Sequence, residues 1–298
     1  MYDPTDQLNP AAVPAPLVLS GLFAGFLLAA GLAADVFILL RLAARRKSLS
    51  ALAQRLSRRP WRNTHGWLIL LVLGGMNGLL FMAVGARPES AGPAPPDRVL
   101  GAVVLQTLLF HGLGAGVVAS IMRRQGFSWK DAFNGGNQPA GRSVLQGVFY
   151  YLAAMPAVLL VSLIYNRLLN ITGYPIEPQP SIQLFTGPEY PASLKLILAA
   201  LAVVIAPAVE EILFRGIALP LLLRRFNPVA AILLVSLAFA AIHMHVPSLA
   251  ALFTISAAFA LAYLATGSLL APMVMHSLFN SFNLILLLLL GDAARLFT

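Results

Sequence analysis

The sequence predicts an all-α, polytopic membrane bundle of about eight transmembrane helices, and three observations carry that reading. Of 298 residues, 59% are hydrophobic and only 10% are charged, with a mean hydropathy of +0.81. A soluble domain of this size carries about 25% charged residues. The apolar runs are continuous and reach the ~20 residues that a helical span needs, whereas the strands of a membrane barrel alternate polar and apolar positions. The charges that remain collect between the runs, and their sign alternates from one connection to the next.

Eight runs qualify in chain order: 17–40, 67–85, 99–121, 145–169, 194–223, 229–246, 249–266 and 268–290. "MYDPTDQLNP" before the first lacks a basic n-region, so that run reads as an anchor rather than a cleaved signal. The connections "RPESAGPAPPDR" and "ITGYPIEPQPSIQLFTGPEYPAS" are proline-rich and too polar to span. The sixth and seventh runs are short and parted by "HVPS", and the last two are parted only by "TGS". No internal repeat or second domain is visible, so residues 1–298 read as one membrane domain.

Charge sets the orientation. Arg41, Arg45, Arg46, Lys47, Arg55, Arg58, Arg59 and Arg62 lie between spans one and two without an acid. Arg123, Arg124, Lys130 and Arg142 lie between three and four against Asp131, and Arg224 and Arg225 between five and six. Asp3, Asp6, Glu89, Asp97, Glu177 and Glu189 fall on the other side. The positive-inside rule places loops 41–66, 123–142 and 224–225 in the cytoplasm, both termini outside, and the protein in the plasma (inner) membrane. The same rule accounts for the net charge of +9 without nucleic acid. The absence of cysteine excludes disulfides, thiolate nucleophiles and cysteine metal sites.

An ionisable group inside a span is costly and usually faces the bundle interior. Three places break the apolar rule. "EEILFR" puts Glu211 and Arg215 four apart on one helical face, where they can pair. Glu210, about 100° round the helix, is left without a helical partner. Desolvation disfavours the charged form of such a carboxylate, which suits a general base or acid; a buried ion pair that only fixes helix packing is the plainer alternative. In "FAAIHMH", Phe239 and His243 share a face, and Pro247 places the helix end just past His245. His245 reads as an interfacial polar anchor. In "HSLFNSFN", His276 and Asn280 share a face and could hold an oxyanion or complete a metal site. An interhelical hydrogen bond is the structural alternative, and Asn283 suits it. No His-Glu-x-x-His, Gly-x-Ser-x-Gly or phosphate-binding loop is present. Ser236, Ser256 and Ser277 are available as nucleophiles but lie in no motif, and would leave the glutamates idle.

Taken together, Glu-Glu-x-x-x-Arg, Phe-x-x-x-His and His-x-x-x-Asn, in that order on successive apolar segments over about 194–290, resemble the CAAX protease and bacteriocin-processing family of intramembrane proteases, which includes the type II CAAX prenyl endopeptidase. The resemblance implies an eight-span fold and hydrolysis of a peptide bond in a membrane-associated or lipidated peptide or protein. It implies that Glu210, assisted by His243, activates a water, that His276 and Asn280 stabilise the oxyanion, and that Glu211 and Arg215 form a supporting pair. The family is labelled a metalloprotease. Zinc or another divalent metal would fall to Glu210, His243 and His276, but the residues suit metal-free chemistry equally and no cofactor is assigned. Two rivals are a bacteriocin-immunity type of membrane binding partner and a proton-coupled transporter that uses Glu210, His243 and His276 as a relay, with His111, Gln106 and Asn166 as further polar span residues. The expected partners are membrane lipids and a peptide or membrane-protein substrate.

Overall fold

The computed structural model describes residues 15–44, 49–71, 74–75, 100–101, 104–105, 107–133, 138–176, 185, 187 and 190–290. Every regular element among them is helical. We label α1 (Ala15–Ala44), α2 (Leu49–Ser57), α3 (Gly114–Gln125), α4 (Trp129–Phe133), α5 (Ala140–Ile171), α6 (Ala192–Leu222), α7 (Pro228–Ala241), α8 (Leu249–Thr266) and α9 (Leu270–Leu290). A π-helical segment, Leu108–Leu113, runs directly into α3.

Four helical segments among the described residues are long and apolar enough to cross a membrane: Ala140–Ile171, Ala192–Leu222, Val246–Thr266 and Leu270–Leu288. They coincide with the fourth, fifth, seventh and eighth expected spans. The sixth is shorter than expected. α7 stops at Ala241, not beyond His245, because the chain tightens through bonds from the His243 and Met244 amides to the Ala240 and Ala241 carbonyls. Met244 then takes φ of 50°, a left-handed conformation that ends a helix. Much of the second expected span lies outside the described residues, whereas most of the third is described and helical.

α5 is the central post. It packs against α1, α8 and α9, and α8 also packs against α7 and α9. Two close approaches depend on glycine. A Cβ on Gly31 of α1 would collide with the Leu152 carbonyl and lie 2.5 Å from the Pro156 ring. One on Gly147 of α5 would lie 2.7 Å from both the Ala271 carbonyl and Val274 Cβ of α9. In a bilayer, such close approach replaces the hydrophobic effect as the force that joins helices.

α6 is irregular. Two π-helical segments, Leu201–Ile205 and Ile212–Ala218, bracket a short α-helical piece, Ala206–Glu211. Each is followed within two residues by a proline, Pro207 or Pro220. A proline ring collides with the carbonyl four residues back in a regular α-helix, and a wider turn removes that collision.

The basic loops meet at one end of the bundle. Arg224 donates to the carbonyls of Ser57 (2.8 Å), Trp61 (2.6 Å) and Arg59. Arg59, almost fully buried, donates to the carbonyls of Gly267 (3.1 Å) and Asp131 (3.3 Å). The connections after α1, α3, α6 and α8 therefore share one face. At that end Asp131 accepts from the Ser128 hydroxyl and backbone amide, and the hydroxyl bond leads in holding its carboxyl below the usual range.

Candidate active site

The polar residues of the three motifs converge between α6, α7, α8 and α9. At the bottom lies a fully buried cage. Arg215 Nη1 donates to Glu211 Oε1 at 2.8 Å, with neither side chain exposed. Arg215 Nη2 donates to the Ser256 carbonyl at 3.0 Å and to its hydroxyl at 2.5 Å. The guanidinium lies 4.7 Å from the Phe239 ring centre and 5.0 Å from that of Phe259. A buried charge is tolerated when it is paired and its remaining protons find acceptors or aromatic faces. The Ser256 hydroxyl is committed to Arg215, and among the described residues none of Ser236, Ser256 and Ser277 pairs with a histidine.

His276 links the cage to its neighbour. Its ring stacks on Phe259 with centroids 5.0 Å apart and meets Phe239 edge-on at 5.5 Å. Its Nδ1 lies 3.0 Å from Glu211 Oε1. That oxygen already accepts from the positive Arg215, so the carboxylate is ionised and Nδ1 is the donor. Nε2 then faces Glu210, 3.8 Å from Oε2.

Glu210 meets a partner from another helix. His111, in the π-helical segment ahead of α3, places Nε2 3.4 Å from Glu210 Oε1. Its Nδ1 lies 3.1 Å from the Thr107 carbonyl. The Glu210 side chain is 12% exposed, against 0% for Glu211. Glu210 Oε2 is buried without a hydrogen-bond partner among the described residues.

His243 sits just past the end of α7. Its Nδ1 bonds the Phe239 carbonyl at 2.7 Å, and its ring lies 4.9 Å from that of Phe239. A carbonyl can only accept, so Nδ1 carries the proton and Nε2 is the basic nitrogen. His243 is among the electrostatic neighbours of Glu210, with His111 and His276. His245 stands apart. Its Nδ1 accepts from the Ser248 amide (3.3 Å) and pairs with the Ser248 hydroxyl (2.9 Å), capping a 3₁₀ turn.

Asn280 lies one turn beyond His276 on α9, but one amide proton is spent. Nδ2 donates to the Ala202 carbonyl at 2.7 Å. The cause is in α6. The Ala206 amide reaches back to Leu201, and Pro207 has no N–H to offer Ala202. Asn280 supplies the missing donor. Asn283 bonds the Phe279 carbonyl of its own helix at 3.0 Å, and among the described residues it joins no second helix.

Among the described residues, no group of three or more His, Cys, Asp or Glu side chains is arranged to hold a metal ion.

His111 is the residue that the sequence motifs missed as part of the site. It stands as an isolated polar residue in an apolar run, 99 residues from the carboxylate it meets. The neighbouring Gly112 and Gly114 were the only local sign of an irregular helix.

Comparison with known proteins agrees with the motif reading over part of the chain. No curated protein and no solved structure matches. Residues 192–282, which contain Glu210, Glu211, Arg215, His243, His276 and Asn280, match the family described as type II CAAX prenyl endopeptidase Rce1-like, and this segment is what the chain shares with the CAAX protease and bacteriocin-processing family.

Proposed function

We propose that the chain is an intramembrane endopeptidase that hydrolyses a peptide bond of a membrane-associated or lipidated substrate with water activated by Glu210. The observation that carries this reading is the pairing of unlike carboxylates. Glu211 is paired with Arg215 and enclosed, while Glu210 is partly open and has three imidazoles about it. The family match supports a protease of the CAAX type at the level of the family.

In this reading Glu210 Oε2 takes a proton from water, with His243 Nε2 holding the water in place. The hydroxide attacks the scissile carbonyl carbon. His276 acts as an imidazolium that Glu211 stabilises through Nδ1–H, as a buried carboxylate orients and supports a catalytic histidine. Its Nε2–H and the second amide proton of Asn280 stabilise the oxyanion. The tetrahedral intermediate collapses, the C–N bond breaks, and Glu210 returns its proton to the leaving amine. No atom or charge is left over.

We assign the bundle eight spans, with the end gathered by Arg59 and Arg224 in the cytoplasm. Arg224 lies 14 residues from Glu210, about 21 Å along a helix, so the site opens in the outer half of the bilayer. A substrate reaching it is membrane-embedded or presented from the outer face.

The test is cleavage of internally quenched peptides by purified protein in lipid nanodiscs, with one prenylated CAAX peptide and a set of membrane-span peptides. Wild type should cleave at least one. Glu210→Gln, which keeps the shape and removes the base, should lower the rate by at least ~10³-fold, comparable with the loss of an essential proton-transfer group. Cleavage by Glu210→Gln at the wild-type rate ends this reading. A pH-gradient-driven flux instead of cleavage would favour the transporter.

A further inference from the structure

We propose that His111, from the part of the chain outside the family match, is a positioning residue for the base: it holds Glu210 by Oε1 and so aims Oε2 at the water. This rests on the hydrolase reading above and assigns a role to a residue that the three motifs do not include.

The argument starts from the ring. His111 Nδ1 faces the Thr107 carbonyl at 3.1 Å, one turn earlier on the same helix. That acceptor fixes a proton on Nδ1, so the ring can turn only Nε2 towards its neighbour. Nε2 meets Glu210 Oε1 at 3.4 Å. Glu210 serves as the base in the hydrolase reading, so the proton between the two atoms lies on Nε2, and that N–H ties Oε1. The carboxylate is planar, so fixing Oε1 fixes where Oε2 points. Oε2 is the oxygen without a hydrogen-bond partner among the described residues, and it lies on the His276 side.

The backbone supports the same role. His111 sits inside the π-helical segment Leu108–Leu113, which packs against the Ala206–Glu211 piece of α6. A π turn advances more residues per turn than an α turn, so it re-aims a side chain without bending the whole helix. Phe110 packs edge-on against the imidazole, with centroids 5.1 Å apart, and further limits its rotation. The other imidazoles facing Glu210 are His276 from α9 and His243 from the turn after α7, and Arg215 of its own helix also acts on it electrostatically. Both imidazoles belong to the motifs, and neither touches Oε1 within hydrogen-bond distance.

The experiment compares wild type, His111→Ala and His111→Gln in nanodiscs on the quenched peptide that wild type cleaves. Glutamine can place an N–H near the position of Nε2. His111→Ala should lower kcat by about 10²-fold with KM within twofold, the scale of a misaimed catalytic group. His111→Gln should recover most of the loss, which a packing defect would not allow. A kcat for His111→Ala within twofold of wild type overturns the proposal, as does an equal loss in both variants. Solid-state NMR of the ¹⁵N-histidine-labelled protein reports the contact without activity. The His111 Nε2 resonance should shift in Glu210→Gln while Nδ1 remains protonated, and an unmoved resonance overturns the proposal whatever the kinetics. A wild type that cleaves no peptide but shows the NMR shift separates the failures: the contact stands, and the hydrolase reading falls together with the positioning role.

Discussion

Two adjacent glutamates occupy opposite worlds in this protein. Glu211 lies in a closed cage with Arg215, Ser256, His276 and two phenylalanine faces, and has no exposed surface. Glu210, one residue away, lies at the edge of that cage, with His111 and His276 as its ion-pair partners among the described residues. The cage is built to hold a fixed charge. The edge leaves its carboxylate partly open. One peptide unit of rotation, about 100°, divides structure from chemistry.

The comparison can be broken from either side. After the Glu210→Gln loss of cleavage, the largest effect should come from Arg215→Ala. It leaves the Glu211 carboxylate buried with only His276 to meet it, and one-sided removal of a buried ion pair costs about 3–5 kcal/mol. The yield of folded protein and its thermal unfolding in detergent should both fall sharply, whereas Glu210→Gln should unfold like wild type. If Arg215→Ala unfolds at the wild-type temperature, the cage is not a structural unit.

Asn280→Ala sharpens the line between the two roles, because this residue serves both. It removes an oxyanion donor, which typically costs about 10²–10³ in rate. It also strands the Ala202 carbonyl, a net cost of about 1–3 kcal/mol. Residual cleavage with a modest loss of stability is expected. Unchanged kinetics with the same stability loss would make Asn280 purely a helix clamp. The smallest effect belongs to Asn283→Ala. Its amide bonds only its own helix and its side chain is exposed, so cleavage and unfolding should stay within experimental scatter of wild type.

Much of this was legible in the sequence, for a physical reason. Membrane burial makes charged residues conspicuous, and helical periodicity then assigns them to faces. Glu211 with Arg215, Phe239 with His243 and His276 with Asn280 all stand four apart, and each pair falls on one face. What the sequence hid are contacts made across helices or by departures from the α-helix. His111 meets Glu210 from a different helix, and no local spacing announces that. The use of one Asn280 proton on Ala202 depends on a carbonyl orphaned by a π turn and Pro207. Pro207 was visible, but its effect on a residue of another helix was not. The early end of α7 turned on a left-handed methionine, a conformation that its residue type does not favour.

The two wide turns of α6 carry a consequence for how the site is held together. A π turn is in effect one residue inserted into an α-helix. With one such insertion before Glu210 and another after Glu211, the six residues between them lie between two turns that each absorb an extra residue. Removing a single residue between 201 and 205 would restore an α turn and leave both glutamates close to their present faces, but it would set the Pro207 ring against the carbonyl four residues back and take away the open Ala202 carbonyl that Asn280 meets. The insertion thus leaves the choice of carboxylate untouched and supplies instead the seam by which α9 is held to α6.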